Sequence, residues 1–166
     1  VVVPTSLVPN WISEVARFAP SLTLLALHGP QRAETFASIP EHDVILTTYA
    51  LLPRDVETLR KQAFSLVVLD EAQQVKNPRT QARRALLALK VPRCLCLTGT
   101  PLENHLGELW SQLDLAVPGL LGDEGAFRRH YRLPIEKHQD YECQERLNRR
   151  IAPFILRRTK AQVASE

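Results

Sequence analysis

Apolar residues along this chain alternate between two patterns. Short continuous runs at residues 1–3, 22–27, 44–48, 64–69 and 94–97 are broken by stretches in which apolar positions recur every three or four residues. A continuous run of strand length, with no polar face, belongs in a parallel sheet covered on both sides. The intervening stretches read as amphipathic helices. Leu7, Trp11, Val15 and Phe18 fall at helical spacing, with Pro9 suited to a first turn and Pro20 stopping the run. A short helix is expected near residues 31–36 and an exposed one of mixed charge over 54–62. Residues 80–89 carry Ala82, Ala85, Leu86 and Leu89 on one side, with Arg83 and Arg84 expected to point outward. Leu106, Leu109, Trp110 and Leu113 share one face of a helix over 103–115. Five strands alternating with helices predict an α/β three-layer sandwich with a mainly parallel sheet.

The run at 64–69 ends abruptly in Asp70 and Glu71, with Gln73 two positions on. Open α/β sheets bind ligands at the carboxyl ends of their strands, so these acids lie where a ligand is expected. Two neighbouring carboxylates can divide the work, one holding a hard cation such as Mg²⁺ and the other orienting or deprotonating a water. The same acids would also suit the positive end of a following helix. One helix and one strand later comes Thr98-Gly99-Thr100-Pro101, which the topology delivers to the same sheet edge. Thr98 and Thr100 are therefore expected within hydrogen-bond reach of Gln73 or Asp70. Gly99 and Pro101 favour a turn there whatever its use. Thr5 and Ser6 at the entrance to the first helix could bond phosphate oxygens without reading bases, and Thr47 and Thr48 end a strand in hydroxyls. Helix capping and backbone satisfaction are the competing uses of those hydroxyls.

Beyond residue 118 the pattern changes. Residues 119–125 contain spaced glycines with acids among them and no following Lys-Ser/Thr, so they read as a connector rather than a phosphate loop. Helices are expected at 123–131 and 140–151. In the latter, Asp140, Glu142 and Glu145 precede Arg146, Arg149 and Arg150, which complements the helix dipole. The expected organisation is residues 1–118 as one lobe and 119–166 as a helical extension.

Composition narrows the classes. The 166 residues are 45% hydrophobic, enough for one sizeable core, and no apolar run reaches membrane-spanning length. Residues 1–3 lack the features of a signal peptide. With no methionine, the chain is expected to be an internal fragment that begins inside a strand. Three cysteines without CxxC spacing suggest buried thiols in a reducing compartment, and five histidines at 28, 42, 105, 130 and 138 show no ligand spacing. Net charge is +3, yet residues 128–160 hold ten Lys/Arg against four Asp/Glu. That local excess is compatible with a phosphate backbone as partner, and equally with a solvated helical face.

Asp70-Glu71-Ala72-Gln73, Val75-Lys76-Asn77-Pro78 and Leu97-Thr98-Gly99-Thr100-Pro101-Leu102-Glu103-Asn104 together resemble the second and third motifs of superfamily-two helicases. With Trp11, Thr47-Thr48-Tyr49 and Phe154-Ile155-Leu156-Arg157-Arg158-Thr159-Lys160, the resemblance narrows to the Swi/Snf-type helicase-like ATPases. It implies the first of two RecA-like lobes of a P-loop NTPase, truncated at its N-terminus, with the extra C-terminal helices leading toward the second lobe. It also implies an enzyme using ATP and Mg²⁺, with Asp70 on the metal and Glu71 on the attacking water. Gln73, Thr98, Gly99 and Thr100 would couple nucleotide state to movement, and Thr5, Ser6, Thr47 and Thr48 would touch the backbone of double-stranded DNA.

Gln73 resembles the bacterial branch, which points to protein–DNA complexes such as a stalled RNA polymerase rather than nucleosomes. The implied location is the bacterial cytoplasm at the nucleoid, or the nucleus in a eukaryote. No G-x-x-x-x-G-K-[ST] string is present; in the family it lies upstream. The 166-residue chain alone is therefore expected to hydrolyse little or no ATP. A catalytically inactive DNA-binding or scaffolding module and a strand-separating helicase are the alternative functions.

Overall fold

The computed structural model describes residues 1–99 and 106–158. It contains two compact units, Val1–Leu120 and Leu121–Glu166. In the first, strands β1 (Val2–Val3), β2 (Leu24–Ala26), β3 (Val44–Thr48), β4 (Val67–Leu69) and β5 (Cys94–Cys96) form one sheet in the order β2-β3-β1-β4-β5, with every pairing parallel. Helices α1 (Val8–Phe18), α2 (Leu52–Leu59), α3 (Gln81–Ala88) and α4 (Leu106–Ala116) complete it.

Successive strand residues point to opposite faces, and two separate apolar clusters record that alternation. Val2, Ile45 and Leu69 pack with Leu52, Leu59, Ala85, Leu86 and Leu115 from α2, α3 and α4. Their neighbours Val3 and Leu46 pack on the other face with Val8 and Trp11 of α1. The three layers expected from the sequence are thus formed, with α1 on one face and α2, α3 and α4 on the other. Complete burial of Leu69 and Leu27 contributes about 1.5–3 kcal/mol each.

The structure departs from the sequence reading in several places. The strand leading to Asp70 lies one position from the sheet edge, and the two-residue β1 occupies the centre: Val2 faces Thr47 on one side and Leu69 on the other. The run at 64–69 pairs with β5 only over Val67–Leu69, in register with Cys94–Cys96. Phe18 ends α1 exposed, with the Arg17 guanidinium 4.9 Å above its ring. Residues 30–41 form a long 3₁₀ segment rather than a short α-helix. Arg83 is the largest reversal. Expected outward, it is 2% exposed and threads inward from α3 to α4, where it donates to the Ser111 carbonyl at 2.9 Å, the Ser111 hydroxyl at 3.0 Å and Asp114 at 2.7 Å. The Ser111 hydroxyl in turn donates to the Lys76 carbonyl at 2.8 Å, so the arginine ties both helices to the segment after Gln73.

In the second unit, α5 (Glu124–Phe127), α6 (Leu133–His138) and α7 (Tyr141–Ile151) are α-helical. Asp123 and Asp140 cap α5 and α7 by accepting from the backbone N–H groups of Ala126 and Cys143. The helix expected to stop at 131 continues through a π-helical turn, Arg128–Arg132, into α6. Pro134 explains the turn: it has no N–H, and its ring would collide with the His130 carbonyl in a regular helix. The wider turn frees that carbonyl, which accepts the Cys143 thiol at 3.1 Å instead. Among the described residues no helix is long and apolar enough to cross a membrane.

Candidate functional site

Every polar group of Asp70 is engaged. Its N–H donates to the Val2 carbonyl at 2.9 Å, continuing the β1–β4 ladder past the end of the strand. Its carbonyl accepts the Tyr49 hydroxyl at 2.7 Å. Of its carboxylate oxygens, Oδ1 accepts the N–H of Glu71 at 2.9 Å and Oδ2 accepts the indole N–H of Trp11 at 2.8 Å. Each oxygen keeps a lone pair, so the carboxylate is oriented without being used up. Tyr49 is 9% exposed, and burial, followed by the nearby Cys96 thiol and Asp70 carboxylate, pushes its phenol well above the ordinary value. It therefore stays a donor at physiological pH.

Glu71 turns the chain out of the sheet with φ 50° and ψ 52°, the left-handed region. A residue with a β-carbon adopts that conformation at a cost of order 1–3 kcal/mol, and such residues cluster at functional sites. The turn ends β4 while Ala72 N–H still reaches the Leu97 carbonyl at 2.9 Å, so the acids project beside the residues that follow β5. The Glu71 carboxylate accepts a hydrogen bond from the Gln73 side-chain amide, and the amide oxygen of Gln73 accepts from the Thr98 hydroxyl at 3.0 Å. One side chain thus bridges the second acid and the turn after β5, as the spacing predicted for Gln73 and Thr98. Gly99 lies next to Thr98, exposed; Thr100 lies outside the described residues.

Thr5 and Ser6 are exposed in a 3₁₀ turn ahead of α1, and neither hydroxyl caps it. Thr47 and Thr48 correct the sequence reading: they are 4% and 1% exposed, because β3 is covered on both faces. The Thr48 hydroxyl accepts from the Leu51 N–H at 3.3 Å, and the Thr47 hydroxyl is buried without a hydrogen-bond partner among the described residues. Neither hydroxyl reaches the surface, so neither is placed to meet a phosphate. Trp11 is the residue sequence reasoning missed. It packs against Val3, Val8 and Leu46, and its N–H also reaches the acid.

Cys94 and Cys96 share one face of β5. A hydrogen bond from the Cys96 thiol, assisted by Arg83, holds Cys94 below the ordinary thiol range; the same bond, with burial, pushes Cys96 up. A cavity of about 610 Å³ lined by Val44, Phe64, Leu66, Leu89 and Val91 opens at the amino-terminal ends of the strands. None of Asp70, Glu71, Gln73 or Thr98 lines it.

The donor chemistry suits a hard cation. Among the described residues no group of three or more His, Cys, Asp or Glu side chains converges, so the chain does not form a complete cage. Mg²⁺ commonly binds through one or two carboxylates, with phosphate and water oxygens completing its shell, and Asp70 with Glu71 fits that pattern.

A family model described as the SNF2-related domain matches residues 1–166, the whole chain. The chain belongs to the SNF2-related family. This SNF2-related domain is 42% identical over 163 residues to the putative ATP-dependent helicase/translocase YwqA of Bacillus subtilis, covering 96% of the chain and 18% of that protein. It is 32% identical over 179 residues to the TATA-binding protein-associated factor mot1 of Schizosaccharomyces pombe, covering all of the chain and 9% of that protein. The Sulfolobus solfataricus SWI2/SNF2 ATPase core, solved in complex with double-stranded DNA, superposes with a TM-score of 0.88 at 40% identity, over 98% of this chain and 34% of that one. The fold is therefore the RecA-like α/β fold of that core. The SNF2-related domain spans less than a fifth of the length of these curated relatives.

Proposed function

We propose that the full-length protein is an ATP-dependent, DNA-stimulated translocase on double-stranded DNA that remodels protein–DNA complexes, and that this domain supplies the acids of its nucleotide site. The observation that carries the reading is the Gln73 amide, which joins Glu71 to Thr98. Asp70, held at both carboxylate oxygens, would bind the Mg²⁺ that neutralises charge on the nucleotide phosphates when bound. Glu71 would orient or deprotonate the attacking water. Gln73 senses the protonation and position of Glu71 and passes it to Thr98 and, through the turn, to Gly99 and Thr100. Thr5 and Ser6, exposed at a helix entrance, are suited to backbone phosphates of DNA.

The relatives named above as a helicase/translocase and as a factor associated with a DNA-binding protein support this reading. A DNA-bound protein such as RNA polymerase is the proposed obstacle, a second RecA-like lobe of the same protein the proposed mechanical partner, and the nucleoid or nucleus the proposed location.

Gln73→Ala in the full-length protein tests the relay. DNA-stimulated ATP hydrolysis is expected to fall only a few-fold while triplex displacement per ATP falls about tenfold, the scale of a typical coupling free energy. Thr98→Val should reproduce the split. Parallel loss of both activities would instead make Gln73 part of the hydrolytic step, and no loss of either would remove it from the mechanism.

A further inference from the structure

We propose that Trp11 is a positioning residue that ties the metal-binding carboxylate of Asp70 to the nucleic-acid-facing entrance of α1, so that DNA at Thr5 and Ser6 tightens the hold on Mg²⁺. This rests on the reading of Asp70 given above. The indole N–H donates to Asp70 Oδ2 across 59 positions of sequence, at 2.8 Å, from a side chain already fixed by its apolar contacts with Val3, Val8 and Leu46. The other carboxylate oxygen is held by the backbone of Glu71, and the carbonyl of the same residue by Tyr49. Trp11 is therefore the one tie on this carboxylate, among the described residues, that comes from α1.

Partners that hold a ligating carboxylate set its orientation and commonly change metal affinity 10–100-fold when removed. The position of Trp11 makes this tie conditional. Only a few residues separate it from the exposed 3₁₀ turn at Thr5–Leu7, with Pro9 stiffening the first turn between them. A phosphate held at that turn would bear on the first turn of α1, the helix that carries the indole. Coupling of this kind is reciprocal: bound Mg²⁺-nucleotide must then favour DNA binding by the same factor.

The test uses the full-length protein and reads binding of a fluorescent ATP analogue as Mg²⁺ is titrated, with and without duplex DNA. In the unaltered protein, DNA should lower the half-saturating Mg²⁺ concentration. Trp11→Phe keeps an aromatic ring and loses the N–H; it should raise that concentration about tenfold and abolish the effect of DNA. Benzothienylalanine at position 11, which replaces the N–H by sulfur at nearly constant shape, should behave as Trp11→Phe does and separates the hydrogen bond from packing. Thr5→Ala with Ser6→Ala should abolish the DNA effect.

The inference is overturned if both Trp11 variants titrate as the unaltered protein does while Asp70→Asn does not. If Asp70→Asn also leaves the Mg²⁺ titration unchanged, the assignment of Asp70 to the metal falls, and this inference with it.

Discussion

Glu71→Gln in the full-length protein should lower kcat for DNA-stimulated ATP hydrolysis by roughly 10²–10⁴-fold, the usual worth of a positioned general base, while nucleotide affinity changes little. The expectation follows from placement. Glu71 projects from the carboxyl edge of the sheet beside Asp70, and among the described residues its carboxylate meets only the neutral amide of Gln73 and no cation. Glutamine keeps the length and the contact with Gln73 while losing basicity, so a fall in kcat without a matching change in nucleotide binding isolates the proton-handling role. A fall in affinity of the same size would reassign Glu71 to the metal, and unchanged kcat would remove it from the chemistry. Steady-state hydrolysis and equilibrium binding of a nucleotide analogue make the distinction.

The second large effect concerns stability. Asp114→Ala should destabilise the packing of α3 on α4 by about 3 kcal/mol, since it strands a buried guanidinium. Arg83 would keep the Ser111 carbonyl and hydroxyl but lose its counter-charge. Arg83→Met should cost less than Asp114→Ala, because an apolar chain of similar length removes the charge along with its partner's purpose. Amide hydrogen exchange resolved to α3 and α4 reads both variants in the intact protein. The reverse order, with Arg83→Met the worse, would show that the ion pair contributes net stability. Because Ser111 also holds the Lys76 carbonyl, loosened exchange should extend to residues 72–76 and leave β2 and α1 protected.

How much of this was legible in the sequence divides along physical lines. The strand before Asp70 was legible because its run is apolar from Leu66 to Leu69 and its end is marked where the polarity changes. The meeting of Gln73 with Thr98 was legible because parallel strands joined by one helix deliver their carboxyl ends to one edge. The burial of Arg83 was not. On a helical wheel it flanks Leu86 on the inward side, but the choice between water and Asp114 depends on a partner helix that no local pattern announces. Thr47 and Thr48 misled for a related reason: hydroxyls at a strand end suggest a binding edge, whereas β3 sits between β2 and β1 with both faces covered, and the carboxyl end of the strand is itself interior. The Trp11 contact was invisible for want of any sequence signal that an indole would spend its single donor on an acid rather than on water.

The left-handed backbone at position 71 sets two demands on one residue that no amino acid meets fully. The dihedral angles suit glycine best and asparagine or aspartate next, since short polar side chains tolerate that region. The proposed role in activating water asks for a carboxylate carried one methylene further out. Glu71→Asp should therefore ease the main chain yet withdraw the oxygens from their working distance, gaining robustness and losing turnover.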